Sequence, residues 1–309
     1  MTAHILVAPG VGCTFFGNLS RDLDSPLGRE VIRACDFVAL HTSADSTDVT
    51  SAALVRSLGC PRVWLAIPAN YLSRLDLTHS RSVALAEIAR VAAVARDMGA
   101  EALELNGEGA STGAVVGDWT SARMDASEAQ RLESLGVELI EGIRKVYAGA
   151  VGWTSHDGVR SFNVPRGLLS LVDLHSPQHY PAQPGRLASQ RELERRVAWS
   201  RGQWEALAAA GRAPLDVAPY GARWSPYWQG HGHTLGALVW ALCEAPTARL
   251  WACPSSWSPE APEALRLARA LRAEVGHGPE AVERWQAAHG LTADGAVGAR
   301  TIAALRALA

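Results

Sequence analysis

Short runs of apolar residues alternate along this chain with longer segments in which apolar residues recur at helical spacing. Most of the short runs are apolar throughout, as is typical of parallel strands that helices cover. The predicted strands are residues 5–9, 37–42, 63–68, 102–106, 148–153, 169–175, 215–220 and 249–254. The predicted helices are residues 26–35, 47–58, 82–97, 127–146, 190–210, 235–244 and 262–275. Strand and helix in repeated alternation predict a (β/α)8 TIM barrel.

One interval departs from this alternation. Too few residues separate the fifth and sixth predicted strands for a full helix, and residues 163–167 have a loop-like composition. The alternative fold is an open doubly wound sheet, which would place a glycine-rich phosphate loop after its first strand. Residues 9–12 lack the third glycine of that loop and are followed by Thr14 and two phenylalanines. The pattern therefore favours the barrel.

Length and charge narrow the function classes. The 309 residues suffice for a barrel of about 250 residues with an appendage. The net charge of -2 indicates neither a nucleic-acid partner nor an anionic membrane, and no run approaches the roughly 18 apolar residues of a membrane span. The first residues do not have the pattern of a secretory signal. Five cysteines without CxxC spacing predict reduced thiols, and neither a metal site nor a cofactor is predicted.

The candidate chemistry starts on the fourth predicted strand. Side chains alternate along a strand, so Leu103 and Leu105 share one face and Glu104 and Asn106 share the other. If the leucines face the helices, Glu104 and Asn106 point into the barrel. Glu108 follows on the loop, at the end of the barrel where such folds place their active sites.

The same parity argument applies to the sixth predicted strand. With Val172 and Leu174 facing the helices, Asp173 and His175 would point inward. One strand separates this strand from the fourth, so the carboxylates of Glu104 and Asp173 are expected within the roughly 5–9.5 Å that glycosidases use.

These residues predict a division of roles. Glu104 is the candidate general acid and Asp173 its partner, while Asn106 and His175 position the substrate. Glu108 competes with Glu104 for the acid role. The alternative is that Glu104 and Asp173 are structural acids paired with arginines.

Aromatic residues concentrate near the predicted carboxyl ends. The chain has 11 tryptophans and only 4 phenylalanines, a balance that suits platforms for sugar rings better than core packing alone. The candidate substrate-binding aromatic residues are Trp153, Tyr180, Tyr220, Trp224, Trp228 and Trp257. Two further motifs carry less weight. His231 and His233 lack further ligands at metal spacing, and the run from Ser155 to Asp157 lacks a nucleophile elbow.

The chain after residue 275 has a different character. Gly276 to Pro279 form a predicted linker, and the following segment places Trp285-Gln286, Gly290-Leu291 and Asp294-Gly295 ahead of Gly298 and Thr301. This pattern resembles the second half of the small helical peptidoglycan-binding domain attached to cell-wall hydrolases. Residues 1–275 are then the barrel, and residues 276–309 a partial peptidoglycan-binding-like helical domain. The resemblance implies glycan contacts by Trp285, Gln286 and Asp294; the alternative is a tail that only packs on the barrel.

Barrel and tail together resemble a bacteriophage endolysin or a related cell-wall hydrolase. The resemblance implies cleavage of a glycosidic bond in peptidoglycan strands, of the N-acetylmuramidase type, by a protein made in the cytoplasm that reaches the wall after lysis or injection. One alternative is a catalytically inactive glycan-binding component of a phage tail or injection device. Another is an amidase or deacetylase on the same barrel, which would require a metal centre.

Overall fold

The computed structural model describes most of the chain. The described residues are 5–16, 19–42, 44, 46–67, 81–106, 126–156, 171–179, 186–207, 218–219, 232–251 and 260–309. The strands are β1 Gly10–Phe16, β2 Phe37–His41, β3 Arg62–Ile67, β4 Ala102–Asn106, β5 Ala150–His156, β6 Leu174–His179, β7 Ala218–Pro219 and β8 Thr247–Trp251. The described helices are α1 Leu19–Asp24, α2 Pro26–Ala34, α3 Ser46–Ser57, α4 Arg81–Asp97, α5 Ala126–Val146, α6 Gln190–Leu207, α7 Leu235–Glu244, α8 Glu260–Val275, α9 Ala281–Ala288 and α10 Ala299–Arg306.

The eight strands form one parallel sheet in the order β7-β6-β5-β4-β3-β2-β1-β8. Strand β1 pairs with both β2 and β8, so the last strand lies beside the first. Strand β7 contacts β8, which brings the two ends of the sheet together. The predicted TIM barrel with a small helical C-terminal region is confirmed.

Most predicted elements lie within a few residues of their observed positions, but the first strand does not. Residues 5–9 were expected to form it, whereas β1 starts at Gly10. A Cβ atom on Gly12 would lie 2.6 Å from the ring of Phe37, so the close contact between β1 and Phe37 requires a glycine at this position. Glycine weakens the strand signal, which explains the misplaced prediction.

Residues 5–9 instead close the amino end of the barrel. Val7 packs against the inner apolar cluster, and the guanidinium of Arg62 donates to the carbonyl oxygens of Ala8 and Pro9 at 2.5 and 3.1 Å. Glu101 holds Arg62 through a 2.8 Å hydrogen bond. Such contacts at the amino end serve stability.

Strand β6 also begins later than predicted. Residues 169–175 were expected, but the ladder with β5 starts at Leu174. Val172 belongs to the core beneath the helices before the strand starts, and an apolar run alone cannot locate that start. The predicted absence of a full helix before β6 concerns residues outside the described part of the chain.

Two apolar clusters lie on either side of the sheet. The outer cluster packs strands against helices and includes Leu103, Leu105, Val151 and Trp153. The inner cluster consists of Phe37, Ala39, Trp64, Ala102, Ala150 and Leu174. Because the inner cluster sits on the early residues of the strands, the amino end of the barrel interior is apolar.

The C-terminal helices pack on the outside of the barrel. Buried residues of α9 and α10 belong to the same cluster as the helix-facing barrel residues, so the apolar core is continuous. Gln190 on α6 donates to the carbonyl of Gly295 at 2.6 Å and accepts from the N–H of Val297 at 2.8 Å. The predicted boundary near residue 275 therefore falls between elements that share a core. None of the described helices is long and apolar enough to cross a membrane.

Candidate active site at the carboxyl end of the barrel

The inward-facing side chains change from apolar to polar along the strands. The inward residues of β5 and β6, from amino to carboxyl end, are Ala150, Gly152 and Thr154, then Leu174, Ser176 and Gln178. On β4 the apolar Ala102 precedes Glu104. Polar groups that are costly to bury thus gather towards the carboxyl end, where TIM barrels carry their active sites.

Glu104 lies inside the barrel, as predicted, and is paired there with Arg249. Its carboxylate is buried, and one terminal nitrogen of Arg249 lies 2.6 and 2.5 Å from its two oxygens. Arg249 comes from β8 and crosses the interior with its guanidinium carbon 5.3 Å from the ring centroids of both Trp64 and Trp251. A guanidinium at hydrogen-bond distance favours the ionised carboxylate.

Two neighbours adapt the interior to this ion pair. Gly152 lies opposite Glu104 in the ladder, and a Cβ atom there would already be 3.4 Å from the Cγ of Glu104. His41, the last residue of β2, packs edge-on against Trp251 with ring centroids 5.2 Å apart. Burial and then the charge of Arg249 lower the pKa of His41 to about 3, so its imidazole is neutral at physiological pH.

The structure does not bring Asp173 to Glu104. Asp173 precedes β6, and its carboxylate accepts hydrogen bonds from the backbone N–H groups of Ile5 and Val151, both at 2.8 Å, and from Arg144. Ile5 belongs to the segment that closes the amino end. The expected close pairing of Glu104 and Asp173 is therefore wrong, because β6 begins one residue after Asp173. Both acids are paired with arginines, as the structural alternative anticipated.

His175 and Trp153 face the helices instead of the interior. They are ladder partners on β5 and β6, and Trp153 belongs to the outer core. Burial lowers the pKa of His175 to about 3. The prediction that these two side chains line the substrate site is wrong. Leu174 was assumed to face the helices but belongs to the inner apolar cluster, so the next residue, His175, faces outward.

The remaining barrel predictions concern side chains outside the described part of the chain. The backbone of Asn106 ends β4 and pairs with Thr154. Its side chain lies outside the described part of the chain, as do Glu108, Tyr180, Tyr220, Trp224, Trp228 and Trp257.

In the tail, the predicted glycan contacts serve the tail's own structure. Trp285 is fully buried, and the side chain of Gln286 donates to Asp294, Ala296 and Thr301 at 2.9 to 3.1 Å while accepting from the N–H of Gly295. The N–H of Ala296 and the Gln286 amide lower the pKa of Asp294. The prediction of a direct glycan contact by Trp285 or Gln286 is therefore wrong, since Trp285 is buried and the side chain of Gln286 is hydrogen-bonded within the tail.

Three residues of the site were missed from the sequence: Arg249, His41 and Thr154. Arg249 alternates with Ala248 and Leu250 in an otherwise apolar run, so a parity argument on β8 would have pointed it inward. Its pairing with Glu104, 145 residues away, carries no local signal.

No group of three or more metal-ligating side chains occurs among the described residues. Cys13, Cys35, Cys60 and Cys243 are all free and buried.

The fold and the inward polar gradient define a TIM barrel with a polar interior at its carboxyl end. Residues 280–305 match the family model described as "Putative peptidoglycan binding domain", which confirms the resemblance found in the tail. No curated protein matches the sequence significantly.

Solved structures of similar fold include two chitinases and a mannanase. A class V chitinase mutant from Cycas revoluta, in complex with (GlcNAc)3, is 10% identical; the match covers 84% of this chain and 99% of that chain, with a TM-score of 0.59. A GH113 beta-1,4-mannanase is 13% identical over 85% and 99%, with a TM-score of 0.53. A GH18 chitinase from Pseudoalteromonas aurantia is 11% identical over 84% and 99%, with a TM-score of 0.51. At such identities the likeness shows the fold.

Proposed function

We propose that this protein is a glycoside hydrolase that cleaves the glycan strands of bacterial peptidoglycan, most simply as an N-acetylmuramidase. The observation that carries the proposal is the buried Glu104 side chain, paired with Arg249 inside a barrel that is apolar at its amino end and polar towards its carboxyl end. The peptidoglycan-binding match at residues 280–305 supports the choice of substrate. By analogy with phage endolysins, the enzyme would reach the wall after lysis or through an injection device.

The ion pair changes the role assigned to Glu104. A general acid must carry a proton, whereas the guanidinium of Arg249 at 2.6 Å favours the carboxylate anion. Glu104 therefore acts as the negative group that stabilises positive charge at the anomeric carbon. The proton for the leaving oxygen then comes from Glu108, the acid that follows on the same connection.

In this reaction the bond between the anomeric carbon and the glycosidic oxygen breaks. The leaving oxygen takes the proton of Glu108. Water then supplies the hydroxyl group of the new reducing end, and its remaining proton returns to the carboxylate of Glu108. The N-acetyl group of the substrate can serve as the nucleophile in a substrate-assisted route, with Glu104 opposite the developing charge.

The test is digestion of purified peptidoglycan, with the fragments and their reducing ends identified by mass spectrometry. Muramic-acid reducing ends from the native protein, absent with Glu104→Gln, are the expected result. Glu108→Gln should lose peptidoglycan cleavage but retain more activity on an aryl glycoside of N-acetylglucosamine oligomers, whose leaving group needs no proton. Glu104→Gln should lose activity on both substrates. Full activity of both variants would contradict the proposal.

A second candidate is a catalytically inactive wall-binding protein. It is favoured by the pairing of Glu104 with Arg249 and of Asp173 with Arg144, which is how structural acids behave. Under this alternative the native protein releases no fragments but still sediments with peptidoglycan.

A further inference from the structure

Three polar side chains form a row inside the barrel beside Glu104. This β5–β6 polar row consists of Thr154 on β5 with Ser176 and Gln178 on β6; Thr154 and Ser176 are ladder partners. All three residues are fully buried. Within the described part of the chain, neither hydroxyl oxygen nor either amide atom of Gln178 has a hydrogen-bond partner.

Such a row opposes folding. A buried polar group without a partner costs about 1–3 kcal/mol, and apolar residues of similar size would fill the same positions without that cost. Almost all buried polar groups in proteins are satisfied, so several unpartnered ones on one inner face of a barrel call for a binding partner.

The position of the row indicates what it binds. Ser176 and Gln178 lie on the carboxyl side of Leu174, and Thr154 follows Gly152, the residue that faces Glu104. A ligand on the row therefore meets hydrogen-bonding groups, the apolar Leu174 below them, and the Glu104 carboxylate to one side. An acetamido group fits this arrangement of polar and apolar groups, because it combines a hydrogen-bond donor, an acceptor and a methyl group.

We propose that the β5–β6 polar row is the subsite that recognises the 2-acetamido group of an amino sugar. The Gln178 amide donates to the acetamido carbonyl, a hydroxyl of Thr154 or Ser176 accepts from its N–H, and the methyl group contacts Leu174. This inference rests on the proposed function and adds the reason why an N-acetylated glycan would be selected. A sugar with a 2-hydroxyl group lacks the methyl and the carbonyl and leaves the row partly unpaired.

The test measures affinity for chitotetraose and cellotetraose, which differ only in the 2-substituent, by calorimetric titration. The native protein should bind chitotetraose at least about tenfold more tightly. Gln178→Met and Thr154→Val keep the size of each side chain, and each should weaken chitotetraose binding about tenfold while changing cellotetraose binding little. Their melting temperatures should be unchanged or higher, because each removes an unpartnered buried group.

Ser176→Ala and Ser200→Ala form the matched comparison. Ser200 on α6 is also fully buried with an unpartnered hydroxyl, but it lies on a helix outside the barrel. Only Ser176→Ala should reduce the preference for chitotetraose. Equal binding of the two oligosaccharides by the native protein, binding of neither, or an unchanged preference in the row variants would overturn the inference.

The outcomes separate this inference from the proposed hydrolysis. Selective, Gln178-dependent binding without peptidoglycan cleavage would retain the subsite and refute the hydrolase. Peptidoglycan cleavage with an unchanged preference in all three row variants would retain the hydrolase and refute the subsite.

Discussion

Single side chains in the barrel interior carry the electrostatics of the candidate site. Glu104 and Arg249 are both fully buried, and each compensates charge on the other. The two tryptophan rings beside Arg249 add cation–π contacts to the ion pair. A buried pair of this kind adds little net stability but is expensive to break on one side only.

The first prediction concerns the cost of removing only one partner of the Glu104–Arg249 pair. Arg249→Met should lower the free energy of unfolding by about 3–5 kcal/mol, because it leaves a carboxylate buried without its cation. The double variant with Glu104→Gln should be more stable than the single effects predict. Denaturant unfolding of the native protein, the two single variants and the double variant measures the coupling. Arg306→Met, which removes an exposed pair with Glu263, should change the stability far less than Arg249→Met does. Additive effects of Arg249→Met and Glu104→Gln would contradict the expected dependence.

The second prediction concerns pH. Burial lowers the pKa of His41, His175 and His179 from 6.5 to about 3 in the folded protein. In the unfolded chain these histidines take up protons as the pH falls below about 6.5, so the stability present above that pH is lost progressively towards pH 3. At pH 5 the loss is about 2 kcal/mol per histidine.

Melting temperatures between pH 7.5 and 5 measure this effect. His175→Gln should reduce the fall in melting temperature with pH, by about a third of the part that the three buried histidines cause. His277→Gln, at a partly exposed position, should change this fall less. A melting temperature that stays constant over this range in the native protein would rule out the buried neutral histidines.

At the scale of elements, close contacts between strands decide where the barrel begins. Gly12 of β1 lies beside Phe37 of β2, at a distance that only glycine permits. The ring of Phe37 in turn stacks on Trp64, with ring centroids 4.1 Å apart. The amino end of the interior is therefore filled by aromatic rings from β2 and β3. A small residue on β1 is the condition for that packing.

The third prediction follows from this contact. Gly12→Ala should destabilise the protein by about 1–3 kcal/mol, because the added methyl group overlaps the Phe37 ring and the Phe37 carbonyl, both 2.6 Å away. Gly202→Ala on α6 is the control, since no atom lies within 4 Å of its Cβ position and alanine favours the helix by about 0.5–1 kcal/mol. Thermal unfolding compares the two variants. A tolerated alanine at position 12 would show that β1 can move away from Phe37.

At the scale of the whole molecule, the tail and the barrel share one apolar core. Val297 packs on Gly236 of α7, where a Cβ atom would lie 2.2 Å from the Val297 carbonyl oxygen. An ion pair of Arg306 with Glu263 and a hydrogen bond between His289 and Glu274, each at 2.7 Å, join α10 and the end of α9 to α8. The docked tail thus has a fixed orientation relative to the barrel.

The fourth prediction tests this docking. Gly236→Ala should displace the turn around Val297, lower the stability by about 1–3 kcal/mol and make residues after 278 more sensitive to protease. Gly298→Ala serves as the control, because its Cβ position has no neighbour within 4 Å. Limited proteolysis followed by mass spectrometry locates the cleavage. Equal resistance of both variants would indicate that the tail adapts without leaving α7.

The sequence by itself determined the barrel, because the alternation of apolar runs and helical patterns is local. The inward direction of Glu104 and the apolar core of the tail followed from parity and spacing on short segments. The family match at residues 280–305 agrees with that interpretation of the tail.

Only the tertiary structure decided the partner of Glu104, the inner face of β6 and the burial of Trp285 and Gln286. Each depends on contacts between distant parts of the chain: Arg249 reaches Glu104 across 145 residues, and Leu174 enters the inner cluster through pairing with Gly152. Local periodicity specifies which residues share a face of a strand. Barrel closure and strand register specify which face lies inside and what it meets there.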